Sequence, residues 1–326
     1  MRFILASSLL VAAVALAQTA APLKKVADIP LPGAAVRFDY QSFDPVHNRL
    51  YIAHMNADQL VVFDVAKREV VANLDGFPNV HGVWAVPEIN RVYASATGEH
   101  QLAVVDMQTL KIIATPGPIK YPDGIAYAPA AKRVFVSDEH GNADAVIDAT
   151  TNAMITTIPL GGGAGNTVYD SGTGQILVGV HEKNELVSID PATATIVGHH
   201  PVKGVESPHG IVLDVEARLA FVAGEENNKL AVLDLTNGQV LAVYPVGKDP
   251  DVLAFDPGLK QLYVSAESGE VTVFRENGKA LQNVGTLSMP HAHTVAVDPK
   301  THWVYFPLQN VDGKPLLRIM EPSTGR

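Results

Sequence analysis

The stretch HGIVLDVEARLAFVAGEENNKLAVLDLTNGQVLAVYPVGKDP, from His209 to Pro250, decides the fold. It holds four short apolar runs with turn residues between them: Ile211–Leu213, Leu219–Ala223, Leu230–Leu233 and Gln239–Pro245. Val, Ile, Leu and Phe dominate these runs, which suits pleated, half-buried strands. None has the length or the apolar period of a helix.

The unit recurs. Asp39, His81 and Asp123 open units 42 residues apart, and so do His209, Asp251 and His293. A divergent unit between them opens at Gly165–Asn166. Twelve residues after each opening stands a large apolar residue: Tyr51, Tyr93, Phe135, Leu177, Phe221, Tyr263 and Tyr305. An Asp closes the third strand in five units, at Asp64, Asp106, Asp148, Asp190 and Asp234, and Arg275 breaks that column. These Asp side chains are expected to cap their own turns. A period in the low forties with four strands per unit predicts an all-β, seven-bladed β-propeller with four-stranded blades. One such sheet cannot bury both faces, so the aromatic column is expected to pack between blades.

The ends complete the count. Lys24–Leu31 (KKVADIPL) reads as a fourth strand without a blade, and LLRIMEPSTGR at the C-terminus as a third strand with its turn. The N-terminal strand is therefore expected to close the last blade and leave no open seam. The unit LAVLDLTNGQVLAVYPVGKDPDVLAFDPGLKQLYVSA (Leu230–Ala266) resembles the YVTN-type repeats of YncE-like seven-bladed propellers. That resemblance covers the chain after its leader. It implies the fold rather than one activity, since the family is defined by its architecture.

The leader MRFILASSLLVAAVALAQ has a positive residue, an apolar run and an Ala-Leu-Ala site. Residues 1–17 read as a secretory signal peptide cut after Ala17, with an uncleaved anchor as the alternative. Residues 18–326 then form a single exported domain, periplasmic or secreted, with no membrane span. The chain has no Cys, which excludes disulfides, lipidated cysteine and thiolate metal sites. A net charge of −10 without basic clusters argues against nucleic-acid binding. There is no P-loop, HExxH or GxSxG, and the Gly-rich run Gly161–Gly165 precedes a strand rather than a helix.

The chemistry concentrates in the opening column: Asp39, His81, Asp123, Asn166, His209, Asp251 and His293. First strands line a propeller's channel, so these residues should ring one mouth. A second column four residues past the aromatic one holds Met55, Thr97, Glu139, His181, Glu225, Glu267 and Gln309, with His54 and Asp138 just before it. It should surround the same mouth further out. Converging imidazoles and carboxylates suit a divalent metal ion. The candidate ligands are His209, Asp251 and His293 with His291 nearby, and Asp39, His81 and Asp123 with His54; His181 joins them from the second column. Several His ligands would favour Zn, Mn, Fe, Cu or Ni, and mainly carboxylates Ca or Mg. The plain alternative is a hydrated lining in which His and Asp pair without an ion.

Three functions compete. The first is an exported binding protein for a metal ion or small ligand at the mouth. The second is a metal-dependent enzyme, by analogy with propeller lyases and lactonases acting on small acidic or sugar-derived substrates. There His209, His291 or His293 would serve as ligand or base and Glu225 or Glu267 would assist. The third is a scaffold for a protein partner without a small-molecule site.

Overall fold

The computed structural model describes residues 21–323; the expected signal peptide, residues 1–17, lies outside the described residues. Seven four-stranded antiparallel sheets form the blades, each with its strands in chain order except the last. Blade 5, the unit quoted above, comprises Pro208–Asp214, Leu219–Gly224, Lys229–Asp234 and Gln239–Pro245. Blade 7 takes Ala296–Asp298, Trp303–Val311 and Lys314–Pro322 from the C-terminus and Leu23–Pro30 from the N-terminus. The N-terminal strand is therefore the outer strand of the last blade, as its spare fourth-strand pattern implied. Short 3-10 turns are the only helical elements among the described residues, and no described helix is long and apolar enough to cross a membrane.

Seven apolar clusters fill the seven seams between blades. Tyr51 packs with Val92 and Ala94 of the next blade, Tyr93 with Ile125 and Val134, and Phe135 with Ile176 and Val178. Phe221, Tyr263 and Tyr305 repeat the pattern in the following seams and close the ring onto Leu50 and Ile52. Burying each such side chain stabilises the fold by about 1.5–3 kcal/mol. The seam between blades 4 and 5 carries no aromatic residue and has the smallest cluster, matching the divergent fourth unit. Third-strand Asp residues cap their turns as expected: Asp234 accepts from the Thr236 amide at 2.9 Å, and Asp64 from that of Lys67 at 2.9 Å.

The first strands line the channel, with alternate residues facing its axis. In blades 2 to 6 their register shifts around the opening residue, for example between Pro208 and Ile211 and between Pro250 and Leu253. Such bulges re-aim side chains. They also crowd neighbouring backbones: a Cβ on Gly210 would overlap the Asp251 carbonyl oxygen, and one on Gly82 that of Asp123. Glycine is what lets the first strands converge at the mouth. One step deeper stands a second ring, Gln41, Val83, Ile125, Thr167, Ile211, Leu253 and Val295, which faces a different chamber.

Candidate functional site

The opening residues Asp39, His81, Asp123, Asn166, His209, Asp251 and His293 are all buried, and they surround one mouth. A cup of about 110 Å³ is lined there by Asp39, His81, Asp123, His209 and Asp251, with Glu139, Glu225 and Glu267 further out. Pairing between the start of the first strand and the end of the second, such as Pro208 with Gly224, brings both columns to this face.

Two sets of donors converge. Asp39, Asp251 and His293 form one, and His181, His209 and Glu225 the other; within each set the donor atoms lie within 4.8 Å of one another. In the first set, His293 Nε2 is 3.7 Å from Asp39 Oδ1. A zinc ion at about 2.0–2.2 Å from each donor bridges atoms up to about 4.4 Å apart. Asp39 Oδ1, Asp251 Oδ1, His293 Nε2 and Asp123 Oδ1 are buried and make no hydrogen bond. Buried polar atoms are seldom left in that state, because the group forfeits its hydration with nothing in return.

His209 joins the two sets. Its Nδ1 lies 3.3 Å from His181 Nε2, and its Nε2 lies 3.2 Å from the Tyr40 hydroxyl and 3.4 Å from Asp251 Oδ1. Burial opposes its positive charge, but Asp251, Asp123 and Glu225 outweigh burial and lift its pKa to about 10. His181 behaves oppositely: burial, then the neighbouring His209 charge, bring it down to about 4. Burial, reinforced by Asp39, Glu139 and Asp251, raises the Asp123 carboxyl well above the usual range despite His209. The Asp251 carboxyl is held low although burial works against it, because His209, His293 and Arg37 favour its anion.

Arg37 is the counter-charge that sequence reading missed. Its guanidinium binds Glu267 at 2.7 Å and approaches Asp251 Oδ2 at 3.9 Å and Asp39 Oδ2 at 4.0 Å. It thus meets the two aspartates by their Oδ2 atoms and leaves both Oδ1 atoms open. Tyr121 was missed too; its hydroxyl meets His81 Nε2 at 3.0 Å, while His81 Nδ1 faces the Asn79 carbonyl at 2.8 Å. Arg37 and Tyr121 each stand two residues before an opening residue, so the repeat period itself pointed to them. Tyr40, the third omission, crosses the channel from blade 1 to His209 of blade 5 and borders both the cup and the chamber beneath.

Two expected ligands are corrected. His291 shares the register of Arg37 and Tyr121, but it is exposed in a left-handed turn at φ 70° and does not line the cup. The equivalent Asn79, Ser207 and Asp249 are left-handed as well, and they too stay outside the cup. His54 is fully buried but belongs to neither donor set; its ring stacks on Phe38 with centroids 4.0 Å apart. Burial lowers its pKa and keeps it neutral within the core. His81 lines the cup, yet both ring nitrogens already have partners. Glu225 and Glu267 reach the rim, but Glu267 is engaged by Arg37.

No family model matches the chain, and no curated protein does. Among solved structures it is similar to hydrazine synthase of Kuenenia stuttgartiensis, with a TM-score of 0.75 and 14% identity over 90% of this chain and 99% of that one. At that identity the likeness speaks for the fold alone: a seven-bladed β-propeller.

Proposed function

We propose that this chain is an exported, YncE-like propeller that holds a divalent transition-metal ion, zinc in the first instance, at Asp39, Asp251 and His293. The observation that carries the reading is the convergence there of three buried donor atoms, one on each residue, without hydrogen-bond partners. Two carboxylates and an imidazole suit zinc or a neighbouring ion better than calcium or magnesium, which prefer oxygen alone. Arg37 would remain on the Oδ2 atoms and orient both carboxylates. His209, kept positive by Asp251, Asp123 and Glu225, stands beside the same space. The leader, residues 1–17, supports export.

The cup of about 110 Å³ beside Asp39 and Asp251 has room for an ion and its waters. The test is zinc content after purification without chelator, in the wild type and in an Asp39→Asn/His293→Gln variant. We expect one zinc per chain in the wild type and none in the variant. At zinc 100-fold above its dissociation constant, the wild type alone should gain about 2.7 kcal/mol of stability, read as a higher melting temperature. Equal zinc in both proteins, or none in either after adding it back, would turn the cup into a hydrated lining and favour an organic or protein partner.

A further inference from the structure

The chain holds two Asn-Gly pairs, Asn237–Gly238 in blade 5 and Asn277–Gly278 in blade 6. Both stand at turns between third and fourth strands, and both asparagines are exposed. In such a pair the asparagine side chain can react with the backbone nitrogen that follows it, because glycine sets no Cβ beside that nitrogen. The fold treats the two pairs differently. At Asn237 both reacting groups are occupied. Its Oδ1 accepts from the Gln239 amide at 2.9 Å, and its Nδ2 donates to Asp234 Oδ2 at 3.3 Å. The Gly238 amide donates to the Asp234 carbonyl at 2.8 Å. The side chain is thus tied to its own turn, and the nitrogen that would attack it is tied to another oxygen.

At Asn277 neither group is held. The strands Glu270–Asn277 and Ala280–Ser288 place Asn277 opposite Ala280, so Gly278 and Lys279 alone make the turn. Among the described residues the Asn277 side chain makes no hydrogen bond and the Gly278 amide has no acceptor. Gly278 takes φ 65°, and a Cβ there would meet nothing within 4 Å, so the tip of the turn stands clear of the rest of the molecule. Rotation there can bring nitrogen and carbonyl carbon to the attack distance of about 3–3.5 Å without breaking a hydrogen bond of either group.

We propose that Asn277 is a site of self-modification, deamidated through a cyclic imide formed with Gly278. The Gly278 nitrogen attacks Asn277 Cγ. The new N–C bond closes a five-membered ring, the Cγ–Nδ2 bond breaks, and Nδ2 leaves as ammonia with the backbone proton. Water then adds to either imide carbonyl, and ring opening leaves aspartate or isoaspartate at position 277. Water is the only other reactant. The product carries a negative charge that the amide lacked, and isoaspartate also lengthens the backbone by a methylene. Two residues on, Lys279 reaches across the seam to the buried Asp234 carboxylate of blade 5. A carboxylate at position 277 competes for the same ammonium, so the modification loosens this clasp between blades 5 and 6.

The test is peptide mass spectrometry of the full chain during incubation at neutral and mildly alkaline pH, reading amide loss and isoaspartate at each Asn-Gly pair. Asn277 should convert more than about tenfold faster than Asn237, because only its reacting groups are free to meet. Conversion should be faster at the higher pH, since the attacking nitrogen must give up its proton. In urea the two pairs should react at similar rates, because their difference lies in the fold. No conversion at Asn277 in the folded chain, or equal rates at the two pairs there, would overturn the proposal. For the consequence, Asn277→Asp installs the product charge and should lower the melting temperature, and it should do so less in a Lys279→Ala background. A melting temperature that Asn277→Asp leaves unchanged would overturn the link to the clasp.

Discussion

Asp144 occupies a position where four other blades carry leucine, at Leu60, Leu102, Leu186 and Leu230. It is completely buried; its Oδ2 accepts from Thr167 Oγ1 at 3.3 Å, and its Oδ1 has no partner. Burial drives its pKa up to about 8, against the opposing hydrogen bonds from Thr167 and the Val136 amide. A carboxyl whose folded pKa exceeds its unfolded value of about 3.9 favours folding most in its protonated form. Its contribution is complete below the unfolded pKa and is lost as pH rises toward 8, at up to about 1.4 kcal/mol per pH unit. Asp144→Asn removes this dependence. In urea titrations the variant should therefore gain on the wild type between pH 5 and pH 8, and parallel curves would contradict the assignment. Asp144, Arg37 and Tyr121 were all passed over in the sequence, although Asp144 breaks a column of leucines and the other two positions recur with the period. Whether a residue two before the opening reaches the cup depends on its backbone: the left-handed Asn79, Ser207, Asp249 and His291 do not reach it. Residue type says little about that choice, and His291 was misplaced for this reason.

The turns between first and second strands also hold blades together. Arg218 reaches back to the preceding blade and grips Asp170 with two hydrogen bonds of 2.7 and 2.8 Å. Lys260 does the same to Asp214 at 2.7 Å, and His302 to Asp256 at 2.7 Å. All three basic residues occupy the same turn position with positive φ, at 58°, 52° and 61°. The Asp partners each end a first strand and are almost wholly buried. Losing the base leaves a buried carboxylate short of its strongest partner. Arg218→Ala should cost about 1.5–3 kcal/mol in denaturant unfolding, and Arg218→Lys should recover part of it through the charge while losing the bidentate geometry. A loss below about 0.5 kcal/mol would class the contact with ordinary surface pairs. The strand count, the turn caps and the aromatic seams were legible because each repeats within a unit. These clasps were not, because the two partners lie 46 to 48 positions apart and meet only when blades stack. The cup lay between these extremes: its ring could be read from the period, while the pairing of Asp39 with His293 across the closure required the ring to be built.

That closure rests on one strand. Leu23–Pro30 pairs antiparallel with Lys314–Pro322, with Leu23 opposite Pro322 and Pro30 opposite Leu316. Val26, Ala27 and Ile29 pack on the cluster that joins blades 7 and 1, and Arg318 grips Asp28 with two hydrogen bonds of 2.8 Å. The Ser323 amide donates to the Pro22 carbonyl at 2.9 Å, so the two described ends meet. The same closure brings Asp39 of blade 1 beside His293 of blade 7, so ring integrity and the proposed metal site are coupled. A chain beginning at Leu31 would lose roughly 3–6 kcal/mol of burial and hydrogen bonding and would bare the edge of Lys314–Pro322. We expect it to melt lower than the full chain, to form larger species in light scattering, and to take up less zinc, since Asp39 and His293 would no longer be held together. Adding the segment back at the other end isolates the cause. A permutant that joins residue 323 directly to residue 21 and opens between Pro32 and Ala35 keeps every strand pairing and makes the closure covalent. It should match the natural chain in melting temperature and zinc content. If the truncated chain instead stays monomeric with an unchanged melting temperature, three strands suffice for blade 7, and the N-terminal strand is a covering rather than a clasp.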